Sequence, residues 1–268
     1  MVRPLILISN DDGVFAPGIR YLWEALEPHA DLFVVAPATE QSAVGMSITL
    51  RQPLKIDPIS WSNPSAKVWS VNGTPADCVK LALHRILPRK PDLIVSGINR
   101  GSNAGRNVLY SGTVAAVIEG ILRNIPGIAF SVTEFASPCF RAAAGYAPLL
   151  VDYLLCDPLP PHTFLNTNFP SLAHSRVQGI RLTRQSKEYY SDCPEQRVHP
   201  AEGSAYYWLG LQTEKFAEEE DSEVIWLDRG YATAVPIHVG ELTDLIHLEK
   251  SKERFAKLFS HRPPSLGS

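Results

Sequence analysis

A short aliphatic run near the N-terminus ends abruptly in polar residues, and this feature constrains the fold most. Residues Leu5–Ile8 are followed by the sequence Ser-Asn-Asp-Asp-Gly over positions 9–13. An uninterrupted run of this length is typical of a strand buried on both faces, as in a parallel sheet. The polar residues and the glycine end that strand. Ligands of open α/β sheets bind just beyond the carboxyl ends of the strands, which is where Asp11 and Asp12 lie.

The adjacent carboxylates of Asp11 and Asp12 suggest a divalent metal site. Two ionised carboxylates repel each other and stay ionised together most easily beside a cation. Successive strand side chains point to opposite faces, so the pair converges only if the chain turns, and Gly13 permits that turn. The alternative is an ordinary turn with solvated charges, because Asn, Asp and Gly are common turn residues.

The pattern of apolar runs predicts an α/β fold with a mostly parallel sheet. A helix opened by Pro17 and ended by Pro28 precedes a second buried run at residues 32–36, which makes a strand–helix–strand unit. Further runs follow at residues 68–71, 92–96, 128–132 and 163–170. We expect the core to cover residues 1–155.

A stretch rich in glycine and asparagine over residues 97–107 directly follows the predicted strand at 92–96. We predict a loop here, because Gly and Asn at this density disfavour a helix. The stretch leads into a helix through Ser111, Gly112 and Thr113, and the free N–H groups at such a helix start favour a bound anion. The alternative is a flexible loop with a well-capped helix. The sequence lacks a P-loop lysine and a GxGxxG motif, so it gives no support for ATP or dinucleotide binding.

Composition excludes several classes of protein. The 268-residue chain has a net charge of −3, which argues against a partner such as a nucleic acid polymer. No apolar run reaches membrane-spanning length, and the N-terminus has no signal-peptide layout, so we expect no membrane partner. Four cysteines without zinc-ligand spacing are typical of reduced thiols in a cytoplasmic protein.

Residues 160–260 differ in character from the first part of the chain. We expect strands, an extended β-rich hairpin appendage and a terminal helix here, and a disordered tail over residues 261–268. Aromatic residues cluster in the appendage, at Tyr189, Tyr190, Tyr206, Tyr207 and Trp208. They suggest either an interface between copies of the chain or an internal aromatic cluster.

Oxygen-bearing side chains follow three of the predicted strands: Asp11 and Asp12, then Ser42, then Asn99. Carboxylate, hydroxyl and amide oxygens suit Mg²⁺, Mn²⁺ or Ca²⁺ rather than Zn²⁺ or Cu²⁺. A cation of this kind beside an anion-binding helix start is a recurrent arrangement for phosphate chemistry.

The sequence resembles the SurE family, also called survival protein E, of metal-dependent 5′/3′-nucleotidases. The resemblance spans nearly the whole chain in preserved order. Its motifs are residues 9–13 (SNDDG), 37–42 (PATEQS), 71–79 (VNGTPADCV), 91–99 (PDLIVSGIN), 110–116 (YSGTVAA), 165–170 (LNTNFP) and 206–208 (YYW).

This resemblance implies a Rossmann-like α/β/α sandwich with an extended C-terminal portion used in oligomerisation, within a single domain over residues 1–260. It also implies hydrolysis of nucleoside 5′-monophosphates, with 3′-monophosphates as further substrates, by a homodimer or homotetramer. One divalent ion, Mg²⁺ or Mn²⁺, is expected on the metal ligands Asp11, Asp12, Ser42 and Asn99. The catalytic residues are then Asp11 and Asp12, and the expected phosphate contacts are Asn103, Ser111, Gly112 and Thr113.

Three departures from the family pattern affect the expected substrate preference and oligomer geometry. Asn107 stands where the family often has Asp, and Ser222-Glu223 stands where it often has Thr-Asp. The segment 191–204 matches only loosely. None of these changes removes an expected metal ligand.

In the expected mechanism Asp11 or Asp12 orients or deprotonates a water that attacks phosphorus, and a covalent aspartyl-phosphate is the open alternative. For Arg100 and Arg106 we favour a solvated surface role over attraction of the anion. A rival function is a non-catalytic, stress-related protein that binds metal and nucleotide. A metal-dependent glycosyltransferase is a second rival, but the sequence offers no separate acceptor domain.

Overall fold

The structure, a computed structural model, describes residues 3–191, 193–210 and 212–260. The tail at 261–268, which we predicted to be disordered, lies outside the described residues. The strands are β1 Leu5–Ser9, β2 Asp31–Pro37, β3 Ile56–Ile59, β4 Lys67–Val71, β5 Leu93–Arg100, β6 Gly127–Val132, β7 Thr163–Phe169, β8 Ile180–Leu182, β9 Tyr189–Tyr190, β10 Glu195–Val198, β11 Ala205–Trp208, β12 Thr213–Glu214 and β13 Ala232–His238.

Six α-helices connect or follow these strands within the described residues. They are α1 Pro17–Leu26, α2 Pro75–Leu81, α3 Gly112–Ile121, α4 Arg141–Cys156, α5 Glu223–Asp228 and α6 Leu245–Leu258. Helix α2 begins with a complete capping box: Thr74 accepts from the backbone of Asp77, and the Asp77 carboxylate accepts from the backbone of Thr74. No described helix is long and apolar enough to cross a membrane.

Nine of the strands form one sheet in the order β3-β4-β2-β1-β5-β6-β7-β13-β8. The pairs β3–β4 and β7–β13 are antiparallel, and the other pairs are parallel. The mostly parallel sheet with helices around it confirms the predicted α/β fold class. The carboxyl ends of β1, β2, β5 and β6 therefore meet at one edge of the sheet.

Helices cover both faces of the sheet and make it the middle layer of a sandwich. Because strand side chains alternate, Ile6 and Ile8 pack with apolar residues of α1 and α4. Leu5 and Leu7 point to the other face and pack with residues of α2 and α3. The four aliphatic residues of β1 are thus buried on both sides, as their uninterrupted sequence predicts.

The structure corrects two expectations about element boundaries. Residues 97–100 continue strand β5, and Gly105–Tyr110 form a 3₁₀ helix, so only part of the predicted loop lacks regular structure. Asn99 and Arg100 pair with β6 after a register shift, and this pairing overrides the local preference of Gly and Asn for turns. The core also does not end at residue 155, because β7, β13 and β8 belong to the same sheet. A single domain over residues 1–260 stays a prediction.

The described parts of residues 189–214 form an appendage, which we call the hairpin arm. Strands β10 and β11 pair with each other, and β9 pairs with β12, all antiparallel. The aromatic side chains of β11 are exposed, and 61% of Tyr207 and 60% of Trp208 is accessible. The alternative of an internal aromatic cluster is therefore wrong for these residues within the single chain.

Candidate functional site

A cavity of about 270 Å³ opens at the carboxyl edge of the sheet. It brings together five of the predicted site residues, namely Asp11, Ser42, Asn99, Asn103 and Ser111. Other residues that line it include Glu40, Arg100, Asn107, Tyr110, Phe135 and Tyr190. The volume is close to the lower end of small-molecule pockets, roughly 300–1,000 Å³.

Asp11 is buried at the floor of this cavity, with 6% of its surface exposed. The pKa of its carboxyl is raised to about 7, mainly by burial and also by the charge of Asp12, whereas a hydrogen bond from the Thr113 hydroxyl opposes the rise. The Thr113 Oγ1 donates to Oδ1 of Asp11. No Lys or Arg within the described residues forms an ion pair with this carboxylate.

Asp12 turns towards Arg100 rather than into the cavity. Its Oδ2 accepts the backbone N–H of Arg100 at 3.2 Å, and its Oδ1 accepts from Nε of Arg100 at 3.3 Å. Burial raises the pKa of Asp12, and the bonds and charge of Arg100 oppose that rise. The two adjacent carboxylates therefore differ: one is ion-paired and the other faces the cavity with a hydroxyl donor.

Arg100 lies within the site, so the favoured surface role for this residue is wrong. Its guanidinium also forms an ion pair with Glu40 and stands 4.7 Å from the ring centroid of Phe135. Arg106 is exposed, as a surface role predicts. Local sequence did not reveal the role of Arg100, because its partners follow three different strands.

Ser42 and Asn99 present oxygen atoms to the same cavity. The Ser42 hydroxyl donates to Oε1 of Glu40 at 2.5 Å, which leaves the lone pairs of Oγ available. Nδ2 of Asn99 donates to the carbonyl of Gly101 at 2.9 Å, and this bond orients the amide while Oδ1 remains an acceptor.

Helix α3 places its N-terminus against Asp11. Ser111 caps the helix by accepting the N–H of Val114 at 3.1 Å, so its hydroxyl proton is still able to bind an acceptor. A Cβ added to Gly112 would lie 2.7 Å from Cβ of Asp11. Only glycine allows the helix start to approach the carboxylate this closely. Thr113 is fully buried, and its hydroxyl is taken by Asp11.

Asn103 is held by three buried polar side chains. Its N–H donates to Oδ1 of Asn168 at 2.9 Å, its carbonyl accepts from Asn166 at 2.9 Å, and its own Nδ2 donates to Ser131 at 2.8 Å. Sequence reasoning did not assign a role to Asn166 or Asn168. The signal was two asparagines at alternate positions of an otherwise buried strand, which puts both on one face.

The donors at this edge fit a hard divalent cation. Two carboxylates, one hydroxyl and one amide oxygen are the ligand types that Mg²⁺ and Mn²⁺ prefer. Burial and the charge of Asp12 raise the pKa of Asp11, and a cation bound here would favour its ionised form. No group of three or more His, Cys, Asp or Glu side chains suited to a metal occurs in the described chain, and the expected set itself contains only two carboxylates.

The family model described as survival protein SurE matches residues 6–192, which is most of the chain. The chain belongs to the SurE family. It is 54% identical to the 5′-nucleotidase SurE of Protochlamydia amoebophila over 253 residues, covering 94% of this chain and 97% of that protein. The 5′-nucleotidase SurE of Heliobacterium modesticaldum is 43% identical, over 87% of this chain and 85% of that one.

A solved SurE structure has the same fold. The crystal structure of the SurE protein from Aquifex aeolicus superposes with a TM-score of 0.80 at 37% identity and covers 94% of this chain and 100% of that chain. The family and the Rossmann-like sandwich that the sequence motifs implied are thus both confirmed.

Proposed function

We propose that the protein is a 5′-nucleotidase that uses one divalent metal ion, Mg²⁺ or Mn²⁺. It adds water to a nucleoside 5′-monophosphate and releases the nucleoside and inorganic phosphate. Its relatives named 5′-nucleotidase SurE, at 40–54% identity over most of the chain, support the nucleotidase activity. Metal dependence and a further activity on 3′-monophosphates are our proposals.

The observation that carries this proposal is the placement of Asp11. Its carboxylate is buried, faces the cavity and lies directly against the start of α3. A carboxylate at this position would repel an anion at the helix start unless a cation stands between them. A cation bound between the phosphate and the carboxylate removes this repulsion, whereas phosphate bound without a cation does not.

Four residues would hold the metal ion: Asp11 and Asp12 through carboxylates, Ser42 through its hydroxyl, and Asn99 through Oδ1. The bound ion supplies positive charge that neutralises phosphate oxygens and favours deprotonation of water. Arg100 must release part of Asp12 for this set to close, because it engages both carboxylate oxygens.

The remaining residues bind the phosphate and stabilise its developing charge. The Ser111 hydroxyl, the second hydrogen of Asn103 Nδ2 and the first N–H groups of α3, beginning at Gly112, donate to phosphate oxygens. Thr113 acts indirectly, because its hydroxyl donates a hydrogen bond to the Asp11 carboxylate and holds it in place. Asp11 or Asp12 orients the attacking water or accepts its proton.

Phosphate release from a panel of nucleoside 5′- and 3′-monophosphates tests the proposal. We expect release that EDTA abolishes and that Mg²⁺ or Mn²⁺ restores, with the 5′-monophosphates hydrolysed faster. An aryl phosphate serves as a generic substrate, which separates hydrolysis itself from recognition of the nucleoside. Nucleotide binding without release under any metal would instead favour the non-catalytic metal- and nucleotide-binding protein.

We also propose that the protein assembles as a homodimer or homotetramer in the cytoplasm. The exposed aromatic side chains of the hairpin arm and the apolar residues of α6, including Leu245 and Phe255, support the assembly. The four free cysteines support a reducing compartment. Light scattering coupled to size-exclusion chromatography measures the assembly directly, and a monomeric mass at micromolar concentration would contradict it.

A further inference from the structure

The C-terminal part of the chain forms several hydrogen bonds with the loop that carries Asn103. Glu223, the first residue of α5, is fully buried and accepts three hydrogen bonds. Its Oε1 accepts the N–H of Gly105 at 2.8 Å and the N–H of Ser186 at 3.1 Å. Its Oε2 accepts from Nδ2 of Asn168 at 3.3 Å. All three partners are donors, so the carboxylate matches them where a neutral amide would not.

The Asn168 side chain connects Glu223 to Asn103 by two hydrogen bonds. Asn168 donates to Glu223 with Nδ2 and accepts the N–H of Asn103 with Oδ1. One carboxylate therefore fixes two backbone positions of the loop, Gly105 directly and Asn103 through one side chain. The two hydrogen bonds that connect Glu223 to Asn103 measure 3.3 and 2.9 Å, and Glu223, Asn168 and Asn103 are all buried.

Other contacts from the same part of the chain press the loop into one geometry. Gln185 donates to the carbonyl of Gly105 at 2.6 Å, and the N–H of Arg106 donates to the carbonyl of Glu188 at 2.7 Å. Gly105 has a φ of +68°, and a Cβ there would lie 2.5 Å from the Glu188 carbonyl oxygen. The loop and the segment 185–188 are thus in direct backbone contact.

We infer that Glu223 is a positioning residue for phosphate binding, which sets the geometry of residues 103–105 without touching the substrate. The inference rests on the proposed function, because it takes Asn103 to contact phosphate. Glu223 lies more than 100 residues along the chain from this loop, and in the sequence it is noticeable only as a departure from the family pattern.

The charged form of Glu223 serves the site rather than the fold. Burial raises the pKa of its carboxyl to about 7, and the bonds from Gly105, Ser186 and Asn168 oppose that rise. Above pH 7 the folded protein therefore holds the ionised side chain at a cost to stability. Replacing it by the neutral isostere removes that cost but leaves Nδ2 of Asn168 facing another donor, so the two effects on stability oppose each other and the melting temperature should change little.

The test compares Glu223→Gln with a matched control, Glu119→Gln. Glu119 is also a buried glutamate, but it pairs with Lys80 and Arg123 on the back of α2 and α3. At pH 8.5, where a carboxyl with a pKa of about 7 is ionised, we measure kcat, KM for a nucleoside 5′-monophosphate and melting temperature. Hydrogen exchange of the Asn103 and Gly105 amides is measured without substrate or metal.

For Glu223→Gln we expect KM to rise about tenfold with kcat changed less than about threefold, and exchange at the two amides to accelerate about tenfold. Its melting temperature should stay within about 2 °C of the wild type. Glu119→Gln should show the opposite: a lower melting temperature with unchanged KM and loop exchange, because it leaves two cations without their buried partner. Glu223→Asp, which keeps the carboxylate, should recover part of the KM.

Unchanged KM and unchanged loop exchange in Glu223→Gln would overturn the inference. If that variant does not fold, Asn168→Ala removes the side chain that joins Glu223 to Asn103 and keeps the bonds of Glu223 to Gly105 and Ser186, and a wild-type KM there overturns the inference equally. A wild-type protein that releases no phosphate refutes the proposed function instead, and the hydrogen exchange of the loop then still decides whether Glu223 fixes it.

Discussion

The carboxyl edge of the sheet and the hairpin arm differ in how deeply their residues are buried and in how many contacts hold them in place. Every residue of β1 is buried, whereas every residue of β10 and β11 is exposed. At the sheet edge Asp11, Asp12 and Asn103 are held by neighbours from distant parts of the chain, whereas Ser42, Asn99 and Ser111 bond to residues two or three positions away. Within the described part of the arm, β10 and β11 pair only with each other, and a lone two-stranded hairpin is marginally stable in water. Substitutions should therefore act on chemistry in one region and on association in the other.

The largest expected effect is that of Asp11→Asn at the sheet edge. Loss of one charged metal ligand should lower kcat by about a thousandfold or more, measured as phosphate release with Mg²⁺ or Mn²⁺. Asp57→Asn, on the exposed side of edge strand β3, is the control and should leave kcat unchanged. Near-normal turnover by Asp11→Asn would remove the basis for the metal site.

A pair of glycine substitutions compares the two regions directly. Gly112→Ala puts a Cβ 2.7 Å from Cβ of Asp11, and we expect kcat/KM to fall about a hundredfold because the carboxylate is displaced. Gly203→Ala in the arm meets nothing within 4 Å, although its φ of +67° makes alanine strained there. We expect a loss of stability of about 1 kcal/mol and unchanged kcat/KM for that variant. Equal activity losses in both would show that the arm and the edge are not independent.

The hydrogen bond from Thr113 to Asp11 gives a pH test of the edge. The carboxyl of Asp11 must be ionised to bind a cation, so at subsaturating metal kcat/KM should rise with pH through about 7. Thr113→Val removes a bond that lowers this pKa, so the rise should move to higher pH by about one unit. Thr167→Val, which removes a buried hydroxyl from β7 instead, should leave the pH of the rise in place. A shift to lower pH in Thr113→Val would contradict the role of Thr113.

The smallest expected effect on the fold belongs to the arm. Tyr207→Ser removes a side chain that is 61% exposed, and we expect the free energy of unfolding of the monomeric chain to change by less than about 0.5 kcal/mol. Chemical denaturation at low protein concentration measures this, and light scattering of the same samples reports the assembly. A larger loss that grows with protein concentration would show that another copy of the chain covers Tyr207.

The sequence predicted the buried strands well, because each is encoded locally, although β5 extends beyond its predicted end. The aliphatic run at residues 5–8 and its polar end depend on neighbours within a few positions. The same holds for Ser111, which caps α3 where expected. Asp11, Ser42 and Asn99 could be assigned to one site because parallel strands share one carboxyl edge. Asn103 was expected there only from the resemblance to the SurE family.

The contacts between distant segments could not be predicted in this way. An arginine in a polar stretch is expected at the surface, but ion pairs with Asp12 and Glu40 and a contact with the Phe135 ring place Arg100 in the site. Glu223 appeared only as a departure from a family motif. Glu223 is buried because α5, which follows β7 in the chain, lies against the loop that contains Gly105. No local sequence pattern predicts this long-range contact. Tertiary contacts of this kind also extended β5 beyond the strand predicted from propensity.

The position of β13 in the sheet has a consequence for synthesis of the chain. This strand covers β7 on one side, and it follows the arm and α5 in sequence. While a ribosome is still making residues before 232, β7 therefore presents an open edge that other nascent chains can pair with. Translation that stalls between β7 and β13 would leave an aggregation-prone intermediate, and a chaperone that shields one strand edge would be enough to protect it.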